Sequence, residues 1–370
     1  MWFMHKSDNA QSHLKLGAEL VTSGRHAEGE KAYRQALSLD PALIETAYDG
    51  MMTALVAQRK FGDAEQFCRA VLARNDTFAH AHYHLGVIYG QRGSLTEAEA
   101  HFHKTIACEA RYTEAYCRLG EIQAAKGRIQ EAIENFRRVL KVDPNHTEAQ
   151  YQLSALGAAP APPRSPKSYV TSYFDNFSAT FDKKLKELEY RAPVMLNAAI
   201  REYIPETSQK LDTLDLGCGT GLMGSLLRDI SRSLTGIDLS PGMIAKAREK
   251  NIYDSLVTDD IVTALHRSKQ EYDAILAADV FVYIGSLNEI FAACWKKLRP
   301  GGLFAFTSEA SNESDDYWLQ TSGRYAHRYE YLRRLAEENR FEELRAERVI
   351  LRKEMHKPIQ GWLMVLRRTK

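Results

Sequence analysis

Residues 214–222 read "LDLGCGTGL", with Gly217, Gly219 and Gly221 on alternate positions directly behind the apolar and acidic run "LDTLDL". Glycine has no Cβ, so a chain of this kind bends tightly and lets a ligand come against its N–H groups. The stretch is a strand-to-helix turn built for close approach. A dinucleotide fingerprint, G-x-G-x-x-G, requires its third glycine at position 222, which is Leu222.

Outward from this turn the pattern alternates: strand "LDTLDLG", helix "GLMGSLLRDI", strand "SLTGIDL", helix "PGMIAKAREK", strand "YDAILAADVFVYI", helix "NEIFAACWKKL" and strand "GGLFAFTSE". Strands alternating with helices at this spacing predict a parallel sheet with helices on both faces. Ligands of such sheets bind at the carboxyl ends of the strands, where the glycine turn lies.

The G-x-G-x-G spacing, with Asp215 two residues before the first glycine, resembles the first motif of the class I S-adenosylmethionine-dependent methyltransferases. An acid there suits a ligand with a cationic α-amino group and a sulfonium better than a pyrophosphate. The resemblance implies S-adenosylmethionine as cofactor, cradled by Asp215, Gly217, Cys218, Gly219 and Gly221. It further implies Asp238 on the ribose hydroxyls, Leu239 and Met243 flanking the adenine, Asp260 on the adenine amino group and the Ile261 amide on a ring nitrogen, with Asp259 a competing register for Asp260. Ala277, at the fourth strand, completes this set. "KKLRPGGLFAFTSE" matches the family's entry to the fifth strand, with Arg299, Pro300, Gly301 and Gly302 in the turn. Cys218 has no histidine nearby in sequence and is read as a small filler.

Methyl transfer from a sulfonium needs alignment and exclusion of water, and a base only if the acceptor loses a proton. Asp279 and Tyr283, after the fourth strand, and His327, in "SGRYAHRYEYL", are the candidates for the catalytic role. His327 has an alternative reading as a helix cap, and Asp279 as a backbone cap. The aromatics Tyr169, Tyr173, Phe174, Phe177 and Phe181 precede the sheet, and Tyr173 or Phe174 on a lid helix is a cofactor contact by resemblance and plain core by periodicity. "ERVILRKEMHKPIQGWLMVLRR" is expected to close the sheet as an antiparallel hairpin. "ADVFVY" after the fourth strand lacks the Asp/Asn-Pro-Pro-aromatic run of amide and DNA-base methyltransferases.

The first half repeats. Gly86 and Gly120, Gly93 and Gly127, Ala98 and Ala132, and Phe102 and Phe136 are pairs 34 residues apart. A small residue where helices cross, a turn glycine and a small-then-aromatic pair resemble the tetratricopeptide repeat over residues 10–146, with "TEAQYQLSALG" as capping helix. Each helix pair leaves an apolar face that only the next can bury, so the product is a curved surface suited to a protein or peptide partner. His80, His82, His84, His101 and His103 lack companion ligands, and no metal site is expected.

The 370 residues exceed one core and carry 49 basic against 48 acidic side chains. That balance does not favour nucleic acid or an anionic membrane as partner. Five cysteines without paired spacing, and no apolar run of membrane length, read as a cytoplasmic chain. The expected organisation is an all-α solenoid over 1–157, a Pro-rich extended linker over 158–167 with little to pack, and a Rossmann-like α/β domain with a seven-stranded, mostly parallel sheet over 168–370. The whole chain resembles bacterial methyltransferases that carry N-terminal tetratricopeptide repeats. Two functional readings stand: methyl transfer to a protein or peptide recruited by the repeats, or to a small molecule, with the repeats serving dimerisation or partner binding. A third class is a binding module that keeps the cofactor as a structural ligand.

Overall fold

The computed structural model describes residues 2–178, 180–205, 209–354 and 357–369, without the side chains of residues 2–8, 176 and 177. Phe177, one of the aromatics ahead of the sheet, and the tip of the expected closing hairpin lie outside the described residues. Two compact units divide the chain, Met1–Pro144 and Asn145–Lys370.

The first unit is four antiparallel helix pairs, α1 (Trp2–Thr22) with α2 (His26–Leu39), α3 (Tyr48–Ala57) with α4 (Phe61–Leu72), α5 (Ala79–Gln91) with α6 (Leu95–Cys108), and α7 (Thr113–Ala125) with α8 (Ile129–Val142). The repeat glycines are required by contact. A Cβ on Gly86 would stand 2.6 Å from the Phe102 ring, and one on Gly120 would stand 2.7 Å from the Phe136 ring. Both aromatics are buried, so at each crossing the ring fills the space the glycine leaves. The histidines pack as rings: His84 Nδ1 lies 3.0 Å from the Tyr48 hydroxyl, and His101 stacks on Tyr89.

The second unit begins earlier than the sequence suggests. Helix α9 (Thr147–Ala155), expected to cap the repeats, belongs to it, with Tyr151 buried against Leu319 and Tyr325. The Pro-rich segment is also packed, contrary to expectation. Pro163 accepts from the Gly285 and Ser286 amides at 2.9 and 2.8 Å, the Ser165 amide donates to Tyr283 O, and the Tyr325 hydroxyl donates to Pro162 O. Proline carbonyls remain full acceptors though the ring removes the donor, and these carbonyls are where the segment is stitched down.

The sheet has nine strands among the described residues, two more than expected. They are β1 (Leu211–Leu216), β2 (Ser231–Asp238), β3 (Ser255–Thr258), β4 (Tyr272–Ala277), β5 (Leu298–Ala310), β6 (Tyr317–Leu319), β7 (Tyr325–His327), β8 (Phe341–Glu354) and β9 (Lys357–Arg368). The order is β3-β2-β1-β4-β5-β7-β6, and β9 pairs antiparallel with both β5 and β8. The pairs β3-β2, β2-β1, β1-β4 and β4-β5 are parallel, so the order reverses between β1 and β4, the point where such sheets hold ligands. Strand β4 stops at Ala277 instead of running on through "DVFVYI". On one edge β5 pairs with β4 as far as Phe306, and at Glu309 and Ala310 it pairs with β7. Since β9 holds the other edge at Glu309, β7 takes the β4 side just beyond that strand's end. Residues 281–283 accordingly form a single 3-10 turn.

Helices α10 (Lys167–Phe177), α11 (Phe181–Glu187) and α12 (Ala192–Arg201) precede the sheet. Helices α13 (Leu222–Leu227), α14 (Pro241–Glu249), α15 (Ile261–Arg267), α16 (Asn288–Lys297) and α17 (Tyr329–Glu338) connect its strands. Helix α17 ends at Glu338, and Arg340 takes the left-handed φ of 58° usually left to glycine. No described helix is long and apolar enough to cross a membrane.

Candidate functional site

The glycine turn follows β1 with φ of 64° at Gly217, 54° at Gly219 and 87° at Gly221, all in the left-handed region. A Cβ on Gly217 would also meet Val280 at 2.5 Å. The turn thus presses against the segment leaving β4 and stays open on its other side. The Gly219 amide donates to Asp238 Oδ2 and the Ser240 amide to Oδ1, both at 2.8 Å. Two ends of neighbouring strands are tied together by one carboxylate, which still has lone pairs for a ligand.

The turn, the ends of β2 and β4, and helices α10 and α11 surround a cavity of about 320 Å³. Asp215, Gly217, Cys218, Gly219, Asp238, Leu239, Met243, Asp260, Ile261, Asp279, Tyr283 and Tyr173 all line it. Gly221 is the left-handed cap of α13, just behind the wall. Ala277 is buried in the core, and its neighbour Ala278 takes the lining position. Asp259 pairs with Arg267 instead and leaves the register to Asp260.

The acids deserve their environment. Asp215 is fully buried, and burial pushes its carboxyl up to about 7, against the Tyr253 hydroxyl, which donates at 2.6 Å and pulls it down. Asp238 is raised to about 6 by burial, opposed by the Ser240 and Gly219 amides. Among the described residues no basic side chain pairs with either. Burial, then these two acids, push the Cys218 thiol up, which suits a small filler and not a nucleophile. Asp260 caps α15 through Thr263, and Arg164 and Lys167 reach its other oxygen. Burial raises its carboxyl, but the Arg164 hydrogen bond and charge outweigh that and hold it below the usual range.

At the β4 end of the cavity Asp279 has φ 60°, a strained conformation for a non-glycine residue and one that clusters at functional sites. Its amide donates to Thr307 Oγ1 and its Oδ2 accepts from Arg352 at 2.7 Å, while Oδ1 is buried without a partner. Arg352 also binds Glu309 and Glu354, and Arg324 binds Glu354. Burial raises the Tyr283 phenol well above its ordinary value, so it is a neutral donor.

His327 is not at the cavity, which corrects its candidacy as a base. The ring is fully buried, Nε2 lies 2.9 Å from Ile284 O and 3.0 Å from Gly285 O, and Nδ1 lies 2.6 Å from Ser308 Oγ. Facing two carbonyls, Nε2 carries the proton and Nδ1 accepts from the serine. Burial lowers the ring to about 4, so it remains neutral and fastens β7 to the turn after β4.

Sequence reasoning missed Arg164, Tyr190, Arg352 and Glu354, which line the cavity, and Tyr253, which backs Asp215. Only Arg352 left a trace, a charge in the apolar run "VILRKE". A register shift between Ile350 and Arg352 turns it inward, as bulges do beside functional sites.

A methyltransferase-domain model matches residues 214–306, and tetratricopeptide-repeat models match residues 10–43, 51–110 and 113–146. The chain joins tetratricopeptide repeats to a methyltransferase domain. The methyltransferase domain is 28% identical over 146 residues to malonyl-[acyl-carrier protein] O-methyltransferase of Priestia megaterium, covering 38% of this chain and 52% of that protein. It is 33% identical over 109 residues to ubiquinone biosynthesis O-methyltransferase of Methylocella silvestris, covering 28% and 43%. The chain therefore spans about half the length of the curated relatives it matches. Among solved structures, magnesium protoporphyrin IX methyltransferase of Synechocystis aligns at 15% identity and a TM-score of 0.43 over 55% of this chain and 99% of that one. N-methyltransferase NodS of Bradyrhizobium japonicum aligns at 20% and 0.43 over 54% and 98%.

Proposed function

We propose that the methyltransferase domain transfers a methyl group from S-adenosylmethionine to a small acceptor. The observation that carries this reading is a pair of acids, the buried Asp215 and the half-buried Asp238, which face the cavity without a basic partner among the described residues. Burying carboxylates without partners is costly, and a ligand bringing positive charge and a diol relieves both. A pyrophosphate would meet two like charges. The glycine turn fits the same ligand, since Gly219 has nothing but the Phe181 ring edge within 4 Å of where a Cβ would be.

When bound, the cofactor supplies a methyl group on an activated sulfonium. On this reading Asp215 holds the cationic amino-acid end, Asp238 the ribose, and Leu239, Met243 and Ile261 the base. Tyr173, Phe174 and Phe181 from α10 and α11 exclude water. Asp279 Oδ1, unpartnered at the other end, accepts the hydrogen bond of the acceptor, and Tyr283 orients it as a neutral donor.

The cavity that has to take the cofactor as well is at the low end for ligand pockets, so the acceptor group that enters beside it is small. The relatives named as acting on malonyl-[acyl-carrier protein] and in ubiquinone biosynthesis support the same preference. A peptide acceptor recruited by the repeats takes second place, and the repeats serve a protein partner or a second copy. Calorimetric titration of S-adenosylhomocysteine and S-adenosylmethionine into the full chain and into Asp238→Ala tests the reading. Binding to the wild type that collapses in the variant is expected. No binding to the wild type overturns it.

A further inference from the structure

The segment that looked like a linker contributes a side chain to the cavity. Residues 158–167 run along the turn after β4, and Arg164 forms an isolated antiparallel bridge with Ile284. Four hydrogen bonds around Arg164 hold it there. Pro163 O accepts from Gly285 and Ser286, the Ser165 amide donates to Tyr283 O, and Ser165 Oγ lies 2.6 Å from the Tyr151 hydroxyl. The guanidinium lines the cavity beside Asp260 and Ile261.

Asp260 has little left to offer a ligand. A carboxylate has about four acceptor positions. The Thr263 amide and hydroxyl approach Oδ1 at 3.3 and 3.2 Å, while Arg164 and Lys167 take Oδ2. Arg164 has donors to spare, since only one of its nitrogens is committed to Asp260 and its Nε is buried without a partner.

The strand order places this pair at one end of the site. Moving outward from β4, the strand ends present Asp215 on β1, Asp238 on β2, and Asp260 after β3. A ligand with its charge at Asp215 and its diol at Asp238 therefore carries its base to Asp260, between Leu239, Met243 and Ile261.

We infer that Arg164 reads the edge of the purine in place of the Asp260 carboxylate, so that the site recognises ring acceptors and not the 6-amino group. This rests on the cofactor reading above. The acceptors N3 and N7 are common to adenine and hypoxanthine, hypoxanthine has an N1 donor and a further acceptor at its 6-oxo group, and a 6-amino donor belongs to adenine alone. Arg164 is a specificity-determining residue supplied by the Pro-rich segment of the second unit.

The experiment is calorimetric titration of S-adenosylhomocysteine and S-inosylhomocysteine into the full chain, its Arg164→Met variant and its Arg164→Lys variant. The wild type binds the two within about threefold of each other. Arg164→Met leaves Asp260 Oδ2 with only the longer Lys167 contact, at 3.5 Å, so it can accept from the 6-amino group and repel the 6-oxo group, and the ratio rises to about tenfold or more in favour of adenine. Arg164→Lys, which keeps a cation on Asp260, stays close to the wild-type ratio. The ratio is indifferent to the fraction of each variant that is folded. A wild type that rejects the inosyl compound more than tenfold, or a ratio unchanged in Arg164→Met, overturns the role of Arg164 and leaves the cofactor reading standing. Absence of S-adenosylhomocysteine binding to the wild type overturns both.

Discussion

Tyr253 donates its hydroxyl to Asp215 across 2.6 Å, from a position that two glycines keep open. A Cβ on Gly224 would stand 2.3 Å from the ring, and one on Gly236 would stand 2.9 Å from it. The tyrosine follows α14, the acid lies on β1, and the space between them is made by α13 and β2. The most buried acid of the cavity is thus supported from behind, leaving its other face to the ligand.

Removing that support by Tyr253→Phe takes away the hydrogen bond that lowers the Asp215 carboxyl, so its protonation shifts further above about 7. S-adenosylhomocysteine affinity measured by calorimetry at pH 7 is expected to fall by roughly tenfold, in line with about 1.5–3 kcal/mol for a hydrogen bond to a charged group. Much of the loss returns at pH 8.5. A loss equal at both pH values would place the effect of Tyr253 elsewhere.

The two raised acids also make stability depend on pH. Asp215 at about 7 and Asp238 at about 6 lie above the unfolded aspartate value of about 3.9. Each native acid therefore holds its proton where the unfolded one has lost it, and the stabilising contribution is full below about pH 4 and lost as pH rises through 6 and 7. Unfolding of the second unit, followed from pH 5.5 to 8, is expected to show this fall in wild type and a smaller one in Asp215→Asn. Saturating S-adenosylhomocysteine, which favours the charged acids, flattens it.

The repeat crossings are tight enough to be tested by one methyl group. Gly120→Ala places a Cβ 2.7 Å from the Phe136 ring, and overpacking of this kind costs about 1–3 kcal/mol. Urea denaturation followed by circular dichroism is expected to show the first unit unfolding earlier. Adding Phe136→Leu, which withdraws the ring, restores part of the loss. Failure of the second change to help would deny the contact its importance.

Two acids fasten the helices over the cavity. Asp175 of α10 accepts from Ser240 Oγ at 2.5 Å and from the Gly242 amide at 2.9 Å, and Asp182 of α11 accepts from Thr220 Oγ1 at 2.5 Å and pairs with Lys250 at 3.2 Å. Asp175→Ala with Asp182→Ala is expected to speed S-adenosylhomocysteine release in stopped-flow measurements by tenfold or more, at about 1.5–3 kcal/mol for each hydrogen bond to a charged group lost. An unchanged release rate would show that the helices are held by their apolar contacts alone.

Arg352 is 3% exposed and answers three carboxylates, Asp279, Glu309 and Glu354. Arg352→Met leaves Asp279 without an ion pair and Glu309 and Glu354 with Arg324 alone, and breaking such a buried cluster costs about 3–5 kcal/mol. The expected loss is read as a lowered midpoint of thermal unfolding at pH 7. A variant as stable as the wild type at pH 7 would contradict the cluster.

Local chemistry made much of the site legible. The glycine turn, the acid at each strand end and the repeat crossings are set by short-range constraints: left-handed φ at Gly217, Gly219 and Gly221, and a missing Cβ at Gly86 and Gly120. Such demands leave their mark at fixed spacing, whatever the rest of the chain does. His327 misled because nothing local distinguishes a catalytic histidine from one buried between carbonyls. The extent of β4 misled for a related reason, since "YDAILAADVFVYI" is apolar apart from Asp273 and Asp279 and only the arrival of β7 beside β5 stops the strand at Ala277.

The amino-acid sequence by itself determined the repeat array, the parallel sheet and the ligand-approach turn, because each rests on periodicity or on backbone geometry within a few residues. Only the tertiary structure decided which charges meet. Arg164 and Asp260 are 96 residues apart, and Arg352 and Asp279 are 73 apart. Ion pairs of that kind form when the sheet order and a bulge bring distant side chains into one low-dielectric cavity, where leaving a charge unpaired is costly.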